Sequence, residues 1–148
     1  MADVDIKVEE GKFKLRVSAI LIHNGKMLVH EGKKFVGFCF PGGHVQIGES
    51  TSEAILREIK EETNLSAKLE HLVCVDENLY TTPKNTISHE INYYYYLTLR
   101  DKNMPLLDFE NTETEGGISK TQKFHWISVD ELMNANLQPS HILRTLSG

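Results

Sequence analysis

Apolar positions along this chain follow two rhythms. Runs rich in β-branched and aromatic residues occupy 13–22 and 26–31, and His23-Asn24-Gly25 between them has the composition of a tight hairpin turn. Two longer β-type runs, 67–79 and 87–100, flank the turn-forming Thr82-Pro83-Lys84-Asn85, and 123–128 offers a further strand. The second rhythm is helical: Ile55, Leu56, Ile59 and Thr63 fall in one sector of a helix that would span the fifties and early sixties, facing a core. A short helix is expected over 129–135 and another from about 140 to 146, whereas 101–120 reads as an irregular acidic loop. Mixed strands, with helices after the third strand and at the end, predict an α/β fold whose sheet is covered on both faces, because each apolar face needs a layer against it.

The central helix carries charge beside its apolar stripe. Ser50 with Glu53 three residues later has the form of a capping box, and Asn64 tolerates the left-handed conformation that ends a helix. Glu58, Glu61 and Glu62 then share a sector of roughly 100° on the last two turns. At an effective dielectric near 20, two such carboxylates about 6 Å apart repel by about 3 kcal/mol. A hard dication would remove that repulsion. The plainer reading is a solvated acidic face with pairs such as Glu53 and Arg57, but Pro41, Gly42, Gly43 and Gly48 lie just upstream and give a loop whose backbone approaches a ligand closely. Phe35, Phe38 and Phe40 lead into that loop. Loop and helix together make a cradle for metal and phosphate.

The order Gly43-x5-Glu49-x7-Arg57-Glu58-Ile59-x-Glu61-Glu62-x-Asn64-Leu65 resembles the Nudix box of the MutT-type pyrophosphohydrolases. Asn64 is the one departure; it stands where the family has Gly and is the next most tolerant residue at a left-handed position. The resemblance implies a Nudix-type α/β/α sandwich with a mixed central sheet, one domain over residues 1–148, although beyond the box only the element order is similar. It also implies a Mg²⁺-dependent pyrophosphohydrolase, with Mn²⁺ as a substitute ion. Water would attack a phosphorus of a nucleoside diphosphate linked to another moiety, as in nucleoside triphosphates, ADP-ribose, nucleotide sugars or dinucleoside polyphosphates. On the same basis Glu58, Glu61, Glu62 and the Gly42 carbonyl hold the metal, Glu58 or Glu61 takes the proton, and Arg57 orients the glutamates. Glu49 ties loop to helix or faces substrate together with Gly43 and His44. A further carboxylate from outside the box is expected among Glu90, Glu110, Glu113 and Glu115, with Glu90 and Glu113 preferred.

Composition narrows the partners. The chain has 148 residues, 40% hydrophobic and 25% charged, and a formal charge of −5, which disfavours sequence-independent binding to a nucleic-acid polymer and makes metal ions the natural mediators of phosphate contact. The start Met1-Ala2-Asp3-Val4-Asp5 lacks a secretory pattern, and no run of roughly eighteen apolar residues occurs, so a cytoplasmic protein away from membranes is expected. Cys39 and Cys74 sit in apolar stretches and read as buried free thiols.

Tyr93 to Tyr96 alternate across a strand, with core packing favoured over stacking on a base. His125 beside Trp126 reads as structural. A nucleotide-sensing domain that binds without cutting is the alternative function, disfavoured because no box carboxylate is missing; prenyl diphosphate isomerisation would require an active-site cysteine and a less complete box. Tyr80 and Pro83 both fall where family members differ between dinucleoside polyphosphate and ADP-ribose hydrolases, and they do not decide the substrate. A homodimer is compatible with the resemblance.

Overall fold

Residues 2–33, 36–135, 137–139, 141 and 142 are described by the computed structural model of the chain. Phe35 and most of the helix expected over 140–146 lie outside them. Strand β1 (Asp5–Val8) turns back onto β2 (Gly11–His23), and β2 is the hub of the sheet. Asn24 and Gly25 both have positive φ, 51° and 77°, so the Asn-Gly turn expected from sequence forms, and β3 (Lys26–Glu31) follows. The short strands β4 (Phe38–Cys39) and β5 (Gly42–His44) pair with β3 and β2. After helix α1 (Thr51–Thr63), the long strands β6 (Ala67–Thr81) and β7 (Ile87–Leu99) form an antiparallel pair, and β7 runs parallel to β2. The sheet is therefore mixed.

The segment 101–120, expected as an irregular loop, is partly a hairpin. Strand β8 (Phe109–Glu115) pairs with β9 (Ile118–Ser128) across Gly116 and Gly117, both at positive φ, and β9 in turn joins β3. The outer half of this hairpin is polar on both faces, from Asn111 to Thr114 and from Ser119 to Gln122, so it lacks the apolar alternation by which a half-buried strand is recognised. Its one legible signal was the Gly-Gly pair between Thr-bearing stretches.

Two cores flank the sheet. On one face Ile55 and Ile59 of α1 are fully buried with Val17, Leu21, Tyr95, Leu97 and Trp126. On the other, Ile20, Met27, Val29, Phe40 and Tyr94 pack under α2 (Val129–Leu132), β10 (Leu137–Gln138) and Ile142. Burying an Ile or Leu stabilises by roughly 1.5–3 kcal/mol, so α1 is held mainly by its apolar face. The four tyrosines split between the cores, Tyr93 and Tyr95 to one and Tyr94 and Tyr96 to the other. Packing accounts for them.

His125 on β9 bridges two acids, with Nε2 2.6 Å from Glu31 and Nδ1 2.8 Å from Asp108. A neutral imidazole has only one N–H, so both contacts together favour the cation. Burial opposes the charge, but the hydrogen bonds to Asp108 and Glu31 outweigh it and raise the pKa. Stability from this bridge is complete below about pH 6.5 and is lost as pH rises through the higher folded value. Wild type should therefore lose about 0.5–1 kcal/mol relative to His125→Gln between pH 6 and pH 8, a small figure because the bridge is partly exposed; paired thermal melts at the two pH values measure it.

Candidate active site

Helix α1 is specified at both ends by its own residues. Glu53 N–H donates to Ser50 Oγ at 3.1 Å and Ser50 N–H donates to Glu53 Oε1 at 3.2 Å, which completes the capping box. Asn64 adopts φ 59° and its N–H donates to the Lys60 carbonyl at 2.9 Å. Tertiary structure adds a second cap: Asn111 of β8 donates its side-chain amide to the carbonyls of Glu61 and Glu62, groups a helix end leaves without partners. The hairpin missed in the sequence is thus tied to the acidic end of the helix.

Gly42 and Gly43 belong to a strand rather than an open loop. A Cβ on Gly42 would lie 2.1 Å from the Val17 carbonyl oxygen, so the glycine is required by its approach to β2. On Gly43 it would lie 2.4 Å from the Glu58 carboxylate carbon. Glycine here makes room for a carboxylate that Arg57 pins in place. Gly43→Ala should accordingly lower turnover at least tenfold while costing only a few degrees of Tm, a split that steady-state kinetics and thermal denaturation together reveal.

Arg57 organises the acids. It donates Nε to Glu49 at 2.7 Å and one terminal nitrogen to the other Glu49 oxygen at 2.9 Å; it also reaches Glu58 at 2.9 Å, Glu61 at 3.1 Å and the His44 carbonyl at 3.0 Å. Such bidentate, charge-assisted contacts are the strong kind. They raise the guanidinium pKa, chiefly through Glu49, and hold Glu49 below the usual carboxylate range. Glu49 also accepts the Gln46 N–H. It joins loop to helix, one of the two roles expected of it. Glu53 serves the cap, so the Glu53–Arg57 pair of the plainer, solvated-face reading does not form.

Glu62 is different in kind. Its Oε2 is sealed from solvent with no hydrogen-bond partner. Burial, then repulsion from Glu58 and Glu113, pushes its pKa up to about 9. Burial also raises Glu58, against the pull of Arg57. Glu113 therefore stands on the acidic end of the helix, where a cavity of about 50 Å³ is lined by Glu62, Glu113, Lys33 and Lys120. Glu90 does not: it lies 4.0 Å from Arg16, in a different cavity. Glu61 is turned to Arg57 and more than half exposed. Among the described residues no three acidic, His or Cys groups are gathered ready to grip an ion. His44 sits on β5 opposite Arg16, and burial followed by that guanidinium lowers its pKa.

Sequence reasoning missed a larger cavity, about 390 Å³, over the face of β2, β7 and β6. Its polar residues Arg16, Asn92 and Asp76 come from three separate strands, and spacing along the chain cannot show that they meet. Cys39 lines it and is half-buried, as is Cys74, rather than fully buried; both are free thiols with pKa raised by burial. No described helix is long and apolar enough to cross a membrane.

A mixed sheet between two helical layers, with a capped acidic helix set against a Gly-Gly strand, is the arrangement of a known family. The sequence model of the NUDIX domain matches residues 12–146, and the chain belongs to that family. Among individual proteins, it is 38% identical over 85 residues to an ADP-ribose pyrophosphatase of Methanocaldococcus jannaschii, a match covering 55% of this chain and 48% of that protein. The match thus spans about half the length of that curated relative. A hydrolase of the NUDIX family from Clostridium perfringens is 26% identical with TM-score 0.61, covering 90% of this chain and 96% of that one. The MutT protein of Bacillus halodurans shares the fold with TM-score 0.69 at 19% identity, over 88% of this chain and 80% of that one.

Proposed function

We propose that the chain is a cytoplasmic, Mg²⁺-dependent pyrophosphohydrolase, with Mn²⁺ able to substitute, that cleaves the diphosphate linkage of a nucleoside diphosphate bound to a second moiety. The supporting observation is Glu62, a carboxylate with one oxygen orphaned in the protein beside two further acids. An all-oxygen donor set of this kind suits a hard dication, and no side chain among the described residues pairs with Glu62 Oε2. Glu58, Glu61, Glu62 and the Gly42 carbonyl would hold the ion. When bound, it neutralises phosphate charge and lowers the pKa of water.

The chain's own residues supply the rest. Arg57 fixes Glu58 and Glu61, one of which accepts the proton of the attacking water. Gly43 leaves space for Glu58, Asn111 holds the helix end, and Glu113 with Lys33 and Lys120 borders the phosphate side. ADP-ribose is the first substrate to test, because the curated relative with 38% identity bears that activity in its name. A screen with Mg²⁺ or Mn²⁺ over nucleoside triphosphates, oxidised triphosphates, nucleotide sugars, ADP-ribose and dinucleoside polyphosphates, in which added phosphatase or pyrophosphatase converts the phosphomonoester or pyrophosphate products to inorganic phosphate, should show turnover of at least one. Nucleotide binding without any cleavage across that set would favour the sensing domain instead.

A further inference from the structure

The floor of the 390 Å³ cavity is a row of three side chains laid across three strands. Arg16 on β2 is the register partner of Asn92 on β7, and Asn92 is the register partner of Asp76 on β6. Residues paired in this way point to the same face of a sheet. The row reads cation, amide, carboxylate.

Each end has a neighbour that fixes its sense. Arg16 is also the register partner of His44 on β5, whose carbonyl accepts from Arg57, so the cationic end borders the acidic helix α1. Its Nε is buried and, among the described residues, without a hydrogen-bond partner, and its ion pair with Glu90 is long, 4.0 Å. Asp76 stands at the far end and accepts from His141 at 3.0 Å. Between them Asn92 is 9% exposed. Its Nδ2 is directed to the Tyr94 hydroxyl at 3.4 Å, and its Oδ1 is buried and, among the described residues, without a partner. An unpaired buried acceptor is expensive to keep. A ligand that donates to it would remove the penalty.

From this row we infer that the cavity reads a nucleobase through an exocyclic amino group, with Asn92 Oδ1 accepting its N–H and Arg16 binding the phosphate next to the sugar. The inference deepens the hydrolase reading, on which it rests for the nucleotide character of the ligand. An anion at Arg16 and hydrogen-bond donors at Asn92 and Asp76 match the two ends of an amino-bearing nucleoside phosphate. The volume falls in the range of small-molecule sites. Phe40 and Pro139 supply its apolar walls.

Binding of nucleoside monophosphates to the full chain tests this without requiring turnover. Calorimetry should show AMP bound at least tenfold more tightly than purine riboside 5′-monophosphate, which differs only in lacking the amine, and CMP more tightly than UMP. Asn92→Leu should bring the first ratio close to one with Tm unchanged or higher, since it deletes an orphaned polar group. Asn92→Ala, which likewise has no side-chain acceptor, serves as the second variant should Leu fail to fold. Arg16→Gln should weaken AMP and its analogue alike, about tenfold, and keep their ratio. Equal binding of AMP and its amine-free analogue by wild type, no binding of either, or a ratio preserved in both Asn92 variants overturns the inference. A chain that cuts diphosphates without preferring the amine keeps the hydrolase reading and loses this one; amine-selective binding without cleavage does the reverse.

Discussion

Replacing Glu62 by Gln should yield a protein that is more stable without metal and almost inactive. The carboxyl titrates near pH 9 in the folded chain, against about 4.5 ordinarily. Between those values the folded state binds a proton that the unfolded state lacks, so this group makes stability fall as pH rises. Gln is neutral throughout and escapes that loss. At pH 8 the expected gain is about 1–3 kcal/mol once solvent screening is allowed for, or a few degrees of Tm. Turnover should drop by roughly a hundredfold or more, because in the proposed function Glu62 helps hold the ion that neutralises developing phosphate charge. Added Mg²⁺ should raise the Tm of wild type and leave the variant nearly unmoved. Melts with and without metal, alongside initial rates, decide the matter; wild-type turnover in the variant would take Glu62 out of the metal-holding set.

Arg57→Ala should be the most damaging single change in the helix. It leaves Glu49 and Glu58, each less than one-sixth exposed, without their cation. Breaking a largely buried pair by removing one partner costs about 3–5 kcal/mol, which for a domain of this size is roughly 10 °C or more of Tm. Arg57→Lys keeps the charge but not the fork that meets both oxygens of Glu49 while reaching Glu58, Glu61 and the His44 carbonyl. It should recover about half the stability, with turnover still at least tenfold down, as read by chemical denaturation and steady-state kinetics. A Lys variant with full activity would show that charge alone, without geometry, positions the glutamates.

Local signals in the sequence were enough for α1: the capping box, the left-handed Asn64 and the buried Ile55 and Ile59 all depend on residues within one or two turns of one another. The Asn24-Gly25 hairpin was legible for the same reason. The hairpin of β8 and β9 was not, because its outer strands expose both faces and carry no periodic apolar mark. The glycines mark sites of close approach, and the tertiary structure adds that Val17 and Glu58 of the protein itself crowd them.

By itself, the order of residues along the chain determined the family, the capped helix and which acids share its face, since all of these are set by spacing over short distances. Tertiary structure alone decided that Arg57 gathers Glu49, Glu58 and Glu61, that Glu62 keeps an oxygen unpaired among the described residues, and that Glu113 stands beside Glu62 while Glu90 stands beside Arg16. It also aligned Arg16, Asn92 and Asp76 in one row. Burial and cross-strand register arise only when distant segments pack together, and they set both the electrostatics of the acids and the donors and acceptors of the cavity.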